Sequence, residues 1–205
     1  MRLVFPSHDE FLRLFGPRTR TVWICSPWVN TDGAALLHQA LARCTLPLLK
    51  GLEVWVRLNV QDRQAGLTDY FAIDQLLEWI GREAPHLNIT IWTAPNLHAK
   101  IFWTEQGALV GSANLTSAGF GGNIELAVRL EPRECAQHGS VPEALRSRME
   151  PVDWPTWKAF LESSANAIPQ GVSYSLDGHQ SSGTSWEGFL QELLSNKMPS
   201  SRGIR

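Results

Sequence analysis

Cysteine is scarce in this sequence of 205 residues, and its spacing argues against two common kinds of stabilisation. Cys25, Cys44 and Cys135 form no CxxC pair, and an odd number of cysteines does not suit a disulfide framework. The sequence therefore predicts neither a set of disulfides nor a zinc site. We expect a protein of the reducing cytoplasm.

Long apolar runs are missing as well. The first apolar run ends at Phe5, which is too early for a secretory signal, and no later stretch approaches the length that crosses a bilayer. This pattern predicts a soluble protein that is neither exported nor bound to a membrane.

The chain has no strong excess of either charge. Its formal net charge is −2, so bulk attraction would not hold a nucleic acid. A nucleic-acid ligand would need a local basic surface. The first 66 residues contain eight lysines and arginines against five aspartates and glutamates, and their candidate basic residues are Arg13, Arg18, Arg20, Arg57 and Arg63.

Apolar patterning predicts a mixed β-sheet. Residues 21–25 and 52–60 have the pattern of strands, and each is followed by a helical pattern, over 33–44 with Asp32 as its N-cap and over 69–83. Further strands are expected over 88–92, 98–103, 108–110 and 124–130, with turn residues between some of them. Two βα units followed by hairpins indicate an α/β protein with a single domain.

The pattern weakens after residue 131, where prolines interrupt it. We expect a helix that opens at Asp153, a polar loop over 177–183, and a capping box over 184–187 that begins a last helix. The chain is thus divided into a catalytic core over 1–131, a helical extension over 132–197 that packs on the core, and a flexible tail over 198–205.

The most informative residues are concentrated between positions 98 and 125. His98 and Lys100 are two apart, so on a strand they would point to the same face and place an imidazole beside an ammonium. Imidazole can act as a nucleophile or as an acid near neutral pH, and an ammonium stabilises the charge that builds on phosphate oxygens. We predict His98 as the nucleophile and Lys100 as a phosphate ligand.

Two further groups complete the predicted site. Gly111 and Ser112 end a strand in a tight turn whose amides and hydroxyl can face an anion, and Asn114 adds an amide donor. Glu125 is a carboxylate in an apolar strand, which suits a residue that orients a histidine, and Asn123 shapes the turn before it. Trp28 could border the substrate groove together with Ser26.

These residues resemble the phospholipase D superfamily, whose signature HxK(x)4D appears here as His98, Lys100 and Glu105, followed by the GSxxN-type residues that end at Asn114. Glu105 replaces the usual aspartate, which in that family supports the site structurally, and the gap to Gly111 is one residue shorter. The likeness extends more loosely over residues 21–131 and is closest to the single-motif nuclease branch, which includes restriction-type endonucleases.

The resemblance implies an α/β/α sandwich, in which a mixed sheet has helices on both faces, and a reaction that proceeds through a phosphohistidine. That reaction requires two histidines at one phosphate, whereas this sequence contains one HxK motif and no internal repeat. We therefore expect a homodimer with one shared site. No metal or cofactor is expected, since the sequence has no acidic cluster of the two-metal type.

Several functions remain open from sequence. The first is a nuclease that cuts DNA rather than RNA, for which the cutting component of a bacterial defence or restriction system with protein partners is one setting. A non-catalytic subunit that dimerises or binds nucleic acid is a second possibility. Hydrolysis of phospholipids is a third, which the lack of an export signal or amphipathic anchor disfavours.

Overall fold

The computed structural model of the protein describes residues 1–165. The loop, capping box and last helix predicted between 177 and 197, and the tail predicted over 198–205, lie outside the described residues. Within residues 1–165, no helix is both long and apolar enough to cross a membrane.

The described chain contains eight strands and seven α-helices. The strands are β1 (Arg2–Val4), β2 (Thr21–Cys25), β3 (Gly51–Trp55), β4 (Asn88–Thr93), β5 (Ile101–Thr104), β6 (Gly107–Gly111), β7 (Ala127–Leu130) and β8 (Glu150–Val152). The helices are α1 (His8–Leu12), α2 (Thr31–Leu41), α3 (Val60–Gln64), α4 (Tyr70–Glu83), α5 (Pro132–Gln137), α6 (Val141–Arg146) and α7 (Trp154–Ala165). A short 3₁₀ turn covers Leu46–Leu48, and a π-helical turn covers Ala118–Gly122.

All eight strands form one mixed sheet in the order β1-β7-β6-β5-β2-β3-β4-β8. Strands β2, β3 and β4 are parallel to one another, and every other pairing is antiparallel. The parallel strands are joined by helices, and β5, β6 and β7 follow one another as neighbours. This arrangement confirms the predicted mixed α/β sheet.

One face of the sheet holds an aliphatic and phenylalanine core. Ile24 of β2 lies opposite Phe102 of β5, and both are almost fully buried. Phe11 of α1 packs edge-on against Phe102, with ring centroids 5.2 Å apart. Since α2 contacts both α1 and α4, the three helices form one layer, and α1 joins that layer to this face.

The other face is rich in tryptophan. Trp23 lies opposite Trp103 across β2 and β5, and it also stacks near Trp55. Cys135 of α5 packs in the cluster of Trp103, and Leu145 of α6 packs against the cluster of Trp55. Helices therefore cover both faces of the sheet, as the α/β/α prediction requires.

Several predicted boundaries are wrong near the site. The predicted strand 98–103 begins only at Ile101, because its neighbour β2 ends at Cys25, which pairs with Ile101. The predicted strand 124–130 begins only at Ala127, since the β6–β7 ladder ends at the pairing of Gly111 with Ala127. His98, Lys100 and Glu125 consequently lie on the segments that enter these strands.

Other local predictions also differ from the structure. The strand expected over 52–60 ends at Trp55, and α3 follows it. Asn30, rather than Asp32, caps α2 by accepting a hydrogen bond from the amide of Gly33 at 2.9 Å. The pattern of residues 132–152 predicted no strand, but β8 lies there and pairs with β4 at the edge of the sheet. A compact unit comprises Met1–Lys158, and a second unit begins at Ala159.

Candidate active site

An open groove lies where the chain enters β5 and leaves β6. It has a volume of about 480 Å³, and its lining includes Trp28, His98, Lys100, Gly111, Ser112 and Asn114. Five of these six residues were predicted from sequence as catalytic or phosphate-binding, and the sixth is Trp28. The fold therefore places residues that are up to 86 positions apart around one open space.

His98 and Lys100 are in direct contact. The Nζ atom of Lys100 lies 3.1 Å from Nε2 and 3.3 Å from Nδ1 of His98, and it donates to the carbonyl oxygen of His98 at 2.8 Å. A neutral imidazole has one acceptor nitrogen, so only one of the two ring contacts is a hydrogen bond. The histidine is exposed and the lysine is buried, which leaves the ring open to a substrate.

Lys100 has an unusual setting for a lysine, since it is only 8% exposed. Burial lowers the pKa of the Lys100 ammonium below its ordinary value, the charge of Glu125 opposes this shift, and the charge of Arg57 adds to it. A buried ammonium beside an open imidazole provides a fixed positive charge where an anion would bind.

Ser112 and Glu125 are joined across the end of the β6–β7 ladder. The hydroxyl of Ser112 donates to the Glu125 carboxylate and accepts from the amide of Leu126 at 3.1 Å, while Asn123 donates to the other carboxylate oxygen at 3.2 Å. Glu125 thus bonds Ser112 and Asn123 within the described chain, and not His98. Its predicted role in orienting a histidine stays a prediction.

Gly111 allows these two segments to come together. A Cβ atom at this position would lie 2.4 Å from the carbonyl oxygen of Leu126 and 2.7 Å from the Cα atom of Ala127. No larger residue fits without moving the β7 entry, so the Gly-Ser pair of the motif has a steric reason.

The loop that carries Asn114 is fixed to the end of β2. The hydroxyl of Ser26, which is fully buried, accepts a hydrogen bond from the backbone amide of Leu115 at 2.8 Å, and the backbone N–H of Asn30 donates to the carbonyl oxygen of Leu115 at 3.3 Å. Gly119 lies so close that its Cβ would be 2.2 Å from the carbonyl oxygen of Asn114. The buried Oδ1 atom of Asn114 has no hydrogen-bond partner among the described residues.

Trp28 is held at the groove by contacts of its backbone with Ser26 and of its ring with Arg57. Its carbonyl oxygen accepts a hydrogen bond from Ser26 at 2.6 Å, and the guanidinium of Arg57 lies over its ring at 5.6 Å from the centroid. Asp62 fixes that guanidinium through two hydrogen bonds of 2.7 and 2.8 Å. Ser26 supports the groove wall from behind instead of bordering the groove as expected.

Glu105 lies at the opposite end of β5 from His98. Its carboxylate accepts hydrogen bonds from the hydroxyl of Thr21 at 2.6 Å and from the amide of Arg20 at 3.2 Å. The residue therefore ties the start of β2 to the end of β5. The structure does not bring it together with the other predicted site residues.

The open imidazole of His98 has no counterpart among the described residues of the groove. The thiol of Cys25 lies at the end of β2, beside the start of β5. Burial raises the pKa of this thiol to about 12, so it is protonated near neutral pH. Among the described histidines, His98 alone lines the groove; His38 packs on Trp79, and His86 contacts a backbone oxygen. No group of three or more potential metal ligands occurs in residues 1–165.

Comparison by sequence finds no matching family model and no matching curated protein. Comparison of structures finds similar chains. Nuc from Salmonella typhimurium, described as a phospholipase D family member, has 16% identity and a TM-score of 0.48 over 70% of this chain and 89% of its own. NucT from Helicobacter pylori has 13% identity and a TM-score of 0.44 over 69% and 87% of the two chains.

Phosphatidylserine synthase from Haemophilus influenzae Rd KW20 has 16% identity and a TM-score of 0.50 over 78% of this chain. The aligned part is 41% of that synthase, so the chain spans less than half of its length. At this identity the likeness shows the fold alone. It agrees with the phospholipase D-like α/β fold that the motif predicted.

Sequence reasoning did not find Arg57 as a neighbour of the groove. Arg57 was one of five scattered basic residues, and nothing in its local sequence distinguishes it. Its contact with Trp28 results from two connecting segments that meet at the ends of β2 and β3. The signal that could have found it is Asp62, five residues later, which is a buried carboxylate and needs a cationic partner.

Proposed function

We propose that the protein is a phosphodiesterase that cuts nucleic acid, with His98 as nucleophile and DNA as the substrate. The observation that carries this proposal is the contact of 3.1 Å between Nε2 of His98 and the buried ammonium of Lys100 on the wall of an open groove. Ser112 and Asn114 line the same groove, so hydrogen-bond groups and one positive charge surround the open imidazole.

The chemistry requires no group beyond side chains and water. When a phosphate binds, Nζ of Lys100 donates to a phosphate oxygen instead of to the ring of His98. Nε2 of His98 then attacks phosphorus, the bond from phosphorus to the leaving oxygen breaks, and that oxygen takes a proton from a second imidazolium. Water then attacks the phosphohistidine and gives a proton to the second imidazole. The phosphorus–nitrogen bond breaks, which restores His98 and releases a phosphate monoester. We expect the reaction to be independent of metal, since Lys100 supplies the positive charge.

We assign the second imidazole to His98 of the partner subunit in a two-fold dimer. Within residues 1–165 the groove contains one histidine, so the second imidazole of the proposed reaction is assigned to a second copy. Exposed apolar side chains flank Glu125 in the sequence and also occur in the groove lining. Ile124 is 99% exposed and Leu126 is 46% exposed, and Val110 of the groove lining is 36% exposed. A second copy would cover these side chains and bring its own motif to the site.

Targeting is assigned to protein partners, as in a bacterial defence or restriction system. Hydrogen bonds to phosphate position a nucleic acid but carry no sequence information, and the predicted site residues are of this phosphate-binding kind. The isolated chain is therefore expected to cut without strong sequence preference.

The first test is cleavage of labelled DNA and RNA, single- and double-stranded, by purified protein in EDTA. Wild type should cut DNA, and His98→Ala prepared in the same way should be inactive. His98 is exposed, so its removal should leave the melting temperature unchanged and serve as a control for contaminating nucleases. Binding of DNA without cleavage would favour a non-catalytic subunit, and release of headgroup from phospholipid vesicles would favour a lipid substrate.

The shared site has its own test. Wild type and His98→Ala carrying different tags are mixed, allowed to exchange subunits and assayed at constant total protein. If each site needs His98 from both subunits, activity follows the square of the wild-type fraction, and an equimolar mixture retains about a quarter of the activity. Independent sites would retain about half and would contradict the dimer proposal.

A further inference from the structure

A second recess adjoins the groove of His98. It has a volume of about 320 Å³. It shares Trp28 and Asn114 with that groove, which is the first recess, so these two side chains lie between the two recesses. Beyond this junction its walls come from the segment after α3, the α2 cap and the loop after β6. A ligand bound at His98 can therefore extend past Trp28 into a second, smaller space.

The two recesses differ in charge. Lys100 lines the first, whereas Glu125 lines the second, and none of the described residues around the second recess is a lysine or an arginine. A phosphate in the second recess would face the carboxylate of Glu125, while Lys100 lies in the groove and Arg57 lies over the ring of Trp28, outside the lining of this recess. The part of the substrate that enters it is therefore uncharged.

The second recess is more polar than the groove of His98, although most of its lining is apolar. Its lining includes the side chains of Asn30, Thr116 and Asn123, and Leu67 and Ala118 are its aliphatic members. An alkyl chain would offer these amide and hydroxyl groups no hydrogen bonds beyond those they make within the protein. Sugar hydroxyls and base edges offer donors and acceptors instead.

Trp28 is suited to bind a flat ring because it is held in place before a ligand arrives. Its backbone is bonded to Ser26, and Arg57, fixed by Asp62, lies over its ring. Its indole N–H is buried and has no partner among the described residues. A base beside Trp28 would stack on a ring that is already fixed, so binding would not incur the entropic cost of ordering this side chain.

From these observations we infer that the second recess binds the nucleoside on one side of the scissile phosphate, with Trp28 as the stacking contact for its base. The inference rests on the proposed function and names the part of the substrate that the site recognises. It makes Trp28 a residue that selects nucleic acid over phospholipid, while the reacting groups remain in the first recess.

The test uses a short oligothymidylate in which every link except one central phosphodiester is a methylphosphonate, so that a single bond can be cut. Two analogues lack the thymine on the 5′ or on the 3′ side of that bond. Wild type, Trp28→Ala, Trp28→Phe and His98→Ala are assayed on all three for kcat/KM. Circular-dichroism melting shows whether each variant is folded.

We expect removal of the base on one side to lower the kcat/KM of wild type by on the order of tenfold to hundredfold, the range expected for one stacked base. Trp28→Ala should show a similar loss on the full substrate and no further loss on that analogue. Trp28→Phe should retain most of the wild-type activity because phenylalanine still presents a ring.

Two outcomes would overturn the inference and leave the nuclease proposal intact. One is a wild-type enzyme that cuts all three substrates equally well. The other is a folded Trp28→Ala that loses the same factor on every substrate, which would mean that Trp28 only supports the structure. If wild type cuts neither this substrate nor unmodified oligothymidylate, the proposed function itself fails and the inference fails with it.

Discussion

The Nζ atom of Lys100 lies 3.1 Å from Nε2 of His98 and is held there by a hydrogen bond of 2.8 Å to the carbonyl oxygen of the same histidine. The lysine is buried and the histidine is exposed. The pair therefore presents one reactive ring to solvent with a positive charge fixed behind it. Two consequences can be measured, one on activity and one on stability.

The first prediction concerns the alkaline limb of the pH profile. Burial lowers the pKa of Lys100, so the ammonium loses its proton at a lower pH than an ordinary lysine, for which the value is about 10.4. If the reaction needs that charge, raising the pH should begin to lower kcat/KM before the ordinary lysine value is reached. In Lys100→Arg the side chain stays charged, so the residual activity should persist to higher pH. An unchanged limb in Lys100→Arg would assign it to another group.

The second prediction is that Lys100→Met inactivates the enzyme and stabilises the fold. A pKa that is lower in the folded than in the unfolded state means that folding disfavours the charged form, and this cost is present below the folded pKa. Methionine avoids it, although the mutation also removes the hydrogen bond to the carbonyl oxygen of His98. We expect a gain of about 1 kcal/mol, or about 2–4 °C in melting temperature.

The pH dependence of that gain provides its control. Between the lowered pKa and the ordinary value, the unfolded wild-type chain binds more protons than the folded chain, so wild-type stability rises with pH. The advantage of Lys100→Met should therefore shrink as the pH rises through this interval. A destabilised Lys100→Met at neutral pH would show that the packing of the lysine stem outweighs the burial of its charge.

The sequence predicted five residues that the fold brings to one groove, and their roles in a reaction stay predictions. It did not predict the local backbone that carries them. The HxK spacing predicted the contact of His98 with Lys100, and the structure has this contact although both residues precede β5. The strand begins late because its neighbour β2 ends at Cys25, and the length of a neighbouring strand cannot be read from the motif itself. The Ser112–Glu125 bond depends on the register of β6 and β7, which two short strands do not encode locally.

The helices and strands were predicted where their apolar pattern is long and were missed where it is short. Helix α4 has fourteen residues with a clear apolar face and was predicted within one residue. Strands β1 and β8 have three residues each and lie at the two edges of the sheet, so their burial pattern is too short to be informative. Helix α1 has five residues and was missed for the same reason.

The third prediction tests the electrostatic coupling of Glu125 with Lys100. The charge of Glu125 raises the pKa of Lys100, in opposition to burial. Glu125→Gln removes that charge, so the alkaline limb of kcat/KM should move to lower pH. Ser112→Ala is the matched control, because it breaks the hydrogen bond to Glu125 but keeps the carboxylate charge. Equal shifts in both variants would indicate a change of structure and not of charge.

The fourth prediction concerns the glycine that supports Asn114. A Cβ atom at Gly119 would lie 2.2 Å from the carbonyl oxygen and 2.9 Å from the amide nitrogen of Asn114, so Gly119→Ala must displace the loop that carries this side chain. Overpacking of this kind costs about 1–3 kcal/mol. Gly121 is in the same π-helical turn, and its Cβ would meet nothing within 4 Å, so Gly121→Ala is a matched control.

Thermal melting and kcat/KM of both variants then distinguish two roles of the turn. Gly119→Ala should melt at a lower temperature and should lose activity even at temperatures where it is folded, because the amide of Asn114 is moved away from the groove. Gly121→Ala should match wild type in both measurements. If Gly119→Ala is destabilised but keeps its full kcat/KM when folded, the position of Asn114 is not required for the reaction, and its assignment as a phosphate ligand fails.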